Sequence, residues 1–200
     1  MSVTVETTPL ADLLILTPAR HGDDRGFFCE TWNAAVLAAQ GILVDFVQDN
    51  QSLSPVPGTL RGLHFQTAPQ AQVKLVRCGR GALFDVAVDL RAGSPTFGRW
   101  FGTELSAVNG RQLLVPVGFA HGFVTRLPDT EILYKCSAPY APACEGALRW
   151  DDPALGIDWG LTGAPVIAPR DAAAPRLADL GQPFPGQPRP GQPFPERGAS

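Results

Sequence analysis

The chain has 200 residues, 44% of them hydrophobic and 18% charged, and a formal net charge of −3. That length and apolar fraction suffice for one domain with a sizeable core and argue against a wholly disordered chain. The mild negative charge, without a long basic run, argues against a nucleic-acid or membrane-surface binder, and no apolar stretch reaches the ~18 residues needed to span a bilayer.

The first twenty residues, MSVTVETTPLADLLILTPAR, lack a basic start followed by an apolar run and a small-residue cleavage site. They read as the start of a mature cytoplasmic protein and not as a signal peptide. NAAVLAAQG (33–41) is the one good helix candidate, opened by an asparagine cap and stopped by Gly41. LRGLHFQ (60–66) is an extended, largely apolar run with His64, one of three histidines, at its centre. KLVRC and GALFDVAVDL flank Gly79-Arg80-Gly81, which reads as a hairpin turn. In 82–90 the residues Ala82, Phe84, Val86, Val88 and Leu90 share one face while Asp85 and Asp89 share the other, the period of a strand. Residues 111–127 and 130–139 read as two more strand segments with a Pro-Asp turn between them. GQPFPGQPRPGQPFP (181–195) is three copies of a five-residue unit whose prolines suit neither a sheet interior nor a helix. It predicts a domain over residues 1–180 and a flexible, polyproline-like tail over 181–200. Many short strands and almost no helix predict an all-β sandwich or barrel.

The scarce residues narrow the chemistry. Four cysteines (Cys29, Cys78, Cys136, Cys144) form no CxxC pair and read as reduced, buried thiols. Among sixteen basic residues only Lys74 and Lys135 are lysines, and Tyr134 and Tyr140 are the only tyrosines, against eleven phenylalanines. A lysine kept in an arginine-rich chain is a candidate for a role that needs a compact charge with a movable pKa. Alternation puts Tyr134 and Lys135 on opposite faces of their strand, so only one can face a given pocket. Small β-barrels that hold a metal often use two histidines one residue apart on a strand, but two positions after His64 stands Gln66. The pattern therefore disfavours a metal.

LRGLHFQ, followed by KLVRCGRGALFDVAVDLR, resembles the dTDP-4-dehydrorhamnose 3,5-epimerase family of metal-independent cupins. The resemblance extends over about residues 5–178 through GDDRGFFCETWN, FVQDNQS, SPTFGRWFGTELSAVNGRQLLVPVGFAHGFVT, LYKCSAPYAP, EGALRWDDPALGIDW and PRDAAAPRL, in that order. It implies an all-β, cupin-type antiparallel jelly-roll barrel with minor helices, a homodimer, a dTDP-sugar substrate and no cofactor. The implied reaction inverts C3 and C5 of a 4-keto-6-deoxyhexose, both acidified by the C4 ketone between them. By resemblance His64 is the base and Asp171 its partner. Lys74 stands at the C4 oxyanion, Tyr134 is the acid on the opposite face, and Tyr140 is its neighbour in the pocket. Arg25, Glu30, Gln48, Asp49 and Asn50 match substrate-contacting positions, as do Arg61, His121, Glu145 and Arg170.

Strict alternation puts Arg61 and His64 on opposite faces, so either Gly62 marks a bulge or Arg61 serves another surface, such as a site shared across a dimer. The sequence departs from the family pattern at Pro139, where a second aromatic is common, at Arg170, often a lysine, and in the Pro-rich tail. Three rival readings are an epimerase acting at one carbon in an antibiotic-sugar pathway, a non-catalytic cupin that binds a nucleotide sugar, and a metal-dependent cupin oxygenase.

Overall fold

The computed structural model describes residues 2–185. Its strands in chain order are β1 (Val3–Thr7), β2 (Leu14–Pro18), β3 (Arg20–Asp23), β4 (Gly26–Cys29), β5 (Gln48–Ser54), β6 (Thr59–Gln66) and β7 (Lys74–Arg80). They continue with β8 (Ala82–Asp89), β9 (Trp100–Ser106), β10 (Gln112–Val115), β11 (Phe119–Thr125), β12 (Thr130–Cys136), β13 (Glu145–Ala147) and β14 (Val166–Ile167). Two short helices, α1 (Ala34–Ala38) and α2 (Pro169–Ala172), complete the regular structure apart from single 3-10 turns.

One sheet has the order β1-β2-β10-β7-β12-β5, and a second has β13-β6-β11-β8-β9 with β14 added alongside β6. All pairings within them are antiparallel except β14–β6. This is the expected cupin-type jelly roll: two sheets facing each other, with consecutive strands often in different sheets.

Alternation builds three layers of packing. Inward residues of both sheets, among them Ile15, Val76, Leu83, Ala87, Leu113, Phe123 and Ile132, form the core between the sheets. The outer face of the second sheet (Leu63, Phe65, Val86, Val88, Val124) is covered by the C-terminal segment through Leu148, Leu155, Trp159 and Phe184. The outer face of the first sheet (Leu16, Leu75, Leu114) is covered by Leu37 of α1 and by Ile42. Asn33 caps α1 as expected, accepting hydrogen bonds from the Ala35 and Val36 amides at 3.0 and 3.2 Å.

Several local expectations change. The Gly79-Arg80-Gly81 turn is not a hairpin, because β7 and β8 lie in different sheets and pair with other strands. Residues 111–127 are two strands, β10 and β11, again one in each sheet, and the Pro-Asp turn also passes between sheets. In β8 the aspartate face is the barrel interior: Asp85 and Asp89 are fully buried, and the apolar face lies against the C-terminal segment. Cys78 and Cys136 are buried, but Cys29 and Cys144 are only partly so, and all four are free thiols. The packed chain also extends beyond 180. Phe184, in the first Pro-rich unit, is 2% exposed, its ring 5.5 Å from that of Phe65, and its carbonyl accepts from the Ala92 amide. A phenylalanine that can fill an apolar slot outweighs the extended preference of the prolines around it. The remaining repeats, from 186 on, lie outside the described residues.

Candidate active site

One end of the barrel interior is polar and open, a cavity of about 930 Å³ whose walls come from both sheets. From the second sheet, β6 contributes Arg61, His64 and Gln66 and β11 contributes His121. From the first, β7 contributes Lys74, β12 contributes Tyr134 and Cys136, and β5 contributes Gln48 and Asn50. Tyr140, Glu145 and Arg170 stand at the mouth, and the buried Asp171 also lines the cavity. His64 and Tyr134 therefore stand on opposing walls.

A bulge at Gly62 lets Arg61 and His64 share a wall. Across the β6–β11 pair His121 faces His64 and Phe123 faces Arg61, so three steps on one strand match two on the other. Gly62 has φ +123°, and a Cβ there would lie 2.6 Å from the Gly122 Cα, so only glycine fits. The bulge also turns the Gly62 amide onto Asp171 Oδ2 at 3.1 Å. The other carboxylate oxygen, Oδ1, lies 2.7 Å from His64 Nε2. Asp171 is 3% exposed at the end of α2, so its carboxylate is held by both oxygens.

The environment tunes these groups in distinct directions. Burial, the largest influence, pushes the His64 pKa below its ordinary 6.5; Asp171 partly offsets this, while Lys74 and Arg170 add to it. Burial likewise lowers the Lys74 ammonium, opposed by Cys136, Asp85 and Glu145. It raises the phenol of Tyr134 above 10, keeping it protonated at neutral pH. Burial would raise Glu145, but hydrogen bonds from Arg170 (2.7 and 3.1 Å) and the Tyr140 hydroxyl (3.0 Å) outweigh it and hold the carboxylate low. The cavity thus holds a half-buried imidazole favoured in its neutral form, a protonated phenol opposite it and a lysine beside the phenol's strand, a set suited to moving protons.

Three of the residues matched by resemblance are not in this cavity. Asp49 alternates outward between Gln48 and Asn50 and binds Lys135 Nζ at 2.7 Å on the outer face. That contact also settles the two lysines as alternation predicts, with Tyr134 inward and Lys135 outward. Arg25 sits in the turn of the β3–β4 hairpin, ion-paired with Asp23. Glu30 accepts from Asn33 Nδ2 at 3.1 Å beside α1.

Two residues not foreseen as part of a site support the cavity: Asp85, fully buried behind its wall, and Gln66, which lines it. Asp85 Oδ1 lies 2.7 Å from His121 Nε2, a second histidine–carboxylate pair directly across the sheet from the first. Its other oxygen is one of two buried side-chain polar atoms without a partner among the described residues. The inward aspartate face of 82–90 was the available signal for Asp85. Gln66, which spoke against a metal, hydrogen-bonds the Pro139 carbonyl and the Ala141 amide. Among the described residues no group of three or more His, Cys, Asp or Glu is arranged to hold a metal ion.

Comparison with known proteins agrees with this geometry. The family model described as dTDP-4-dehydrorhamnose 3,5-epimerase matches residues 7–179. A dTDP-4-dehydrorhamnose 3,5-epimerase of Salmonella typhimurium is 52% identical over 171 residues, 85% of this chain and 93% of the relative. The crystal structure of such an epimerase from Bacillus anthracis, with TDP and PPi bound, superposes with a TM-score of 0.85 at 47% identity, covering 88% of this chain and 99% of that one. A Legionella pneumophila dTDP-6-deoxy-D-glucose-3,5-epimerase in complex with dTDP-4-keto-L-rhamnose gives 0.85 at 45%, covering 89% and 94%. A 3'-monoepimerase from Streptomyces bikiniensis, in complex with dTDP-quinovose, shares the fold at 0.82 but only 35% identity, covering 89% and 91%. With the family model spanning nearly the whole described domain and relatives matching at about half identity, the chain belongs to the dTDP-4-dehydrorhamnose 3,5-epimerase family.

Proposed function

We propose that the chain is an isomerase that inverts C3 and C5 of dTDP-4-keto-6-deoxy-D-glucose, giving dTDP-4-dehydro-L-rhamnose by acid–base chemistry without a cofactor. One observation carries this reading: the His64–Asp171 pair and the Tyr134 phenol stand on opposing walls of one cavity, with Lys74 on the phenol's side. Inversion at a carbon next to a ketone needs a base on one face of the sugar, an acid on the other, and a stabiliser for the enolate oxygen.

In this reading neutral His64 removes the proton from C3 or C5. Asp171 fixes its tautomer and stabilises the imidazolium that forms. The Lys74 ammonium stabilises the developing C4 oxyanion, and Tyr134 delivers a proton from the opposite face. His121, Asn50 and Gln48 line the walls as donors for sugar and nucleotide, while Arg61 and Arg170 at the mouth offer planar forks for the diphosphate.

Incubation with dTDP-4-keto-6-deoxyglucose in deuterated water with a chelator tests the proposal. Deuterium is expected at both C3 and C5. Incorporation at one carbon only would make the chain a single-site epimerase, the reading that its likeness to a 3'-monoepimerase keeps in view. Binding without exchange would leave a nucleotide-sugar-binding cupin.

A homodimer completes the proposal. The β3–β4 hairpin pairs with neither large sheet and exposes Phe27 (62%) and Phe28 (59%). A second copy covering those rings would explain their exposure, and Arg25 at the hairpin's tip would then serve the partner's cavity instead of its own. Light scattering is expected to give twice the chain mass, and Phe27→Asp with Phe28→Asp to give a monomer; a wild-type monomer would refute the arrangement. A charged nucleotide sugar as substrate suits the cytoplasm as the place of work, and among the described residues no helix is long and apolar enough to cross a membrane.

A further inference from the structure

Tyr140 is one of only two tyrosines, and its hydroxyl donates to Glu145 Oε2 at the cavity mouth. Nothing regular holds it there: residues 137–141 follow β12 without strand or helix, Pro139 brings no amide hydrogen, and the Tyr140 side chain is largely exposed. The backbone of this loop is instead bound by amide side chains from neighbouring segments. Gln66 Oε1 accepts from the Ala141 amide at 2.9 Å, and Gln66 Nε2 donates to the Pro139 carbonyl at 3.2 Å, so one side chain grips the chain on both sides of Tyr140. Gln72 Nε2 donates to the Ala138 carbonyl at 2.8 Å, and Gln48 Oε1 accepts from the Tyr140 amide at 2.8 Å.

Gln66 is the centre of this arrangement. It is 5% exposed at the last inward position of β6, and its Nε2 also donates to the Gln70 carbonyl at 2.6 Å, tying the loop after β6 to the loop after β12. A buried amide is the side chain that can do this, because it offers a donor and an acceptor in one plane and does not titrate. Histidine at this position, two residues from His64, would make half a metal site; glutamic acid would lack the amide donors.

We propose that Gln66 is a positioning residue for the reaction: from two residues beyond the base, it sets where the Tyr140 ring and its Glu145–Arg170 partners stand at the sugar-nucleotide entrance. Removing the grip lets the loop shift. A displacement of about 1 Å in a group that orients substrate costs up to ~10²-fold in rate.

Two measurements test this. The first needs no substrate. In protein labelled with ¹³C-tyrosine the two rings give two sets of signals, assigned with Tyr140→Phe. Gln66→Met, close in volume but without the hydrogen bonds, is expected to shift or broaden the Tyr140 signals and leave those of Tyr134 in place. Unmoved Tyr140 signals, or Tyr134 signals that move as much, would overturn the inference. The second measurement rests on the proposed epimerase activity. Gln66→Met is expected to lower kcat/KM by roughly 10–100-fold in the wild type and to add nothing in a Tyr140→Phe background, because both changes act through one group. Losses that multiply in the double variant would make Gln66 merely structural. Gln66→Glu, which keeps the acceptor for Ala141, is expected to fall between the two. Should Gln66→Met not fold, Gln66→Glu and Gln72→Met provide the same two readouts. Because the ring signals require no turnover, they decide the role of Gln66 even if the wild type shows no exchange at either carbon.

Discussion

His64→Ala is expected to lower turnover by ~10²–10⁴-fold and to remove deuterium exchange at both C3 and C5, while the dTDP-sugar still binds. The ring is held at Nε2 by Asp171, which leaves Nδ1 as the basic nitrogen of the neutral tautomer. Only neutral imidazole can accept a proton, so the rate should fall at acidic pH as His64 becomes protonated. Burial pushes its pKa below 6.5, with Lys74 and Arg170 acting in the same direction. The acidic limb of the rate profile should therefore lie below pH 6.5, with the rate level around neutrality. Asp171→Asn removes the charge, and weakens the hydrogen bond, that raise the His64 pKa. It should move that limb further to acid while lowering kcat, because imidazolium is no longer stabilised. Initial rates across about pH 5–8, the range in which histidine titrates, measure both effects. Full exchange in His64→Ala would move the base elsewhere, and the His121–Asp85 pair across the sheet would be examined first.

Alternation was the part of the site most legible in the sequence. It separated Tyr134 from Lys135, and the same rule applied to Gln48-Asp49-Asn50 would have turned Asp49 outward. It also raised the Arg61 problem, which the bulge at Gly62 resolves. Local pattern could not say which strands pair. Gly79-Arg80-Gly81 has the composition of a hairpin turn, but the same glycines serve a crossing between sheets, and only contacts far apart in sequence decide between the two. The partner of His64 is 107 residues away, and no period connects them; resemblance alone brought Asp171 forward. Asp85 and Gln66 were visible as residues but not as parts of the site, because their roles depend on what stands opposite them: His121 for one, the backbone around Tyr140 for the other. Phe184 shows the converse limit, since repeat and proline content predicted a solvated tail and one ring found an apolar slot beside Phe65.

Tyr134→Phe is expected to separate two events that the wild type couples. The substitution keeps the ring that packs against the inner core and removes only the hydroxyl. His64, the proposed base, and Asp171 on the opposite wall are untouched, so proton abstraction should stay within about tenfold of wild type, whereas inversion should fall by ~10²–10⁴-fold, the usual contribution of a general acid. Burial raises the phenol's pKa, so in the wild type it is protonated and ready to donate when the enolate forms. Without it the enolate recovers a proton from the imidazolium on the face it left, and the original configuration returns. In deuterated water that proton is replaced by deuterium through exchange at His64, so the substrate should gain label without changing configuration. Mass spectrometry counts the label and proton NMR coupling constants report the configuration in the same sample. If label and inversion fell together, Tyr134 would be needed before the proton leaves, and the oxyanion rather than the far face of the sugar would be its target.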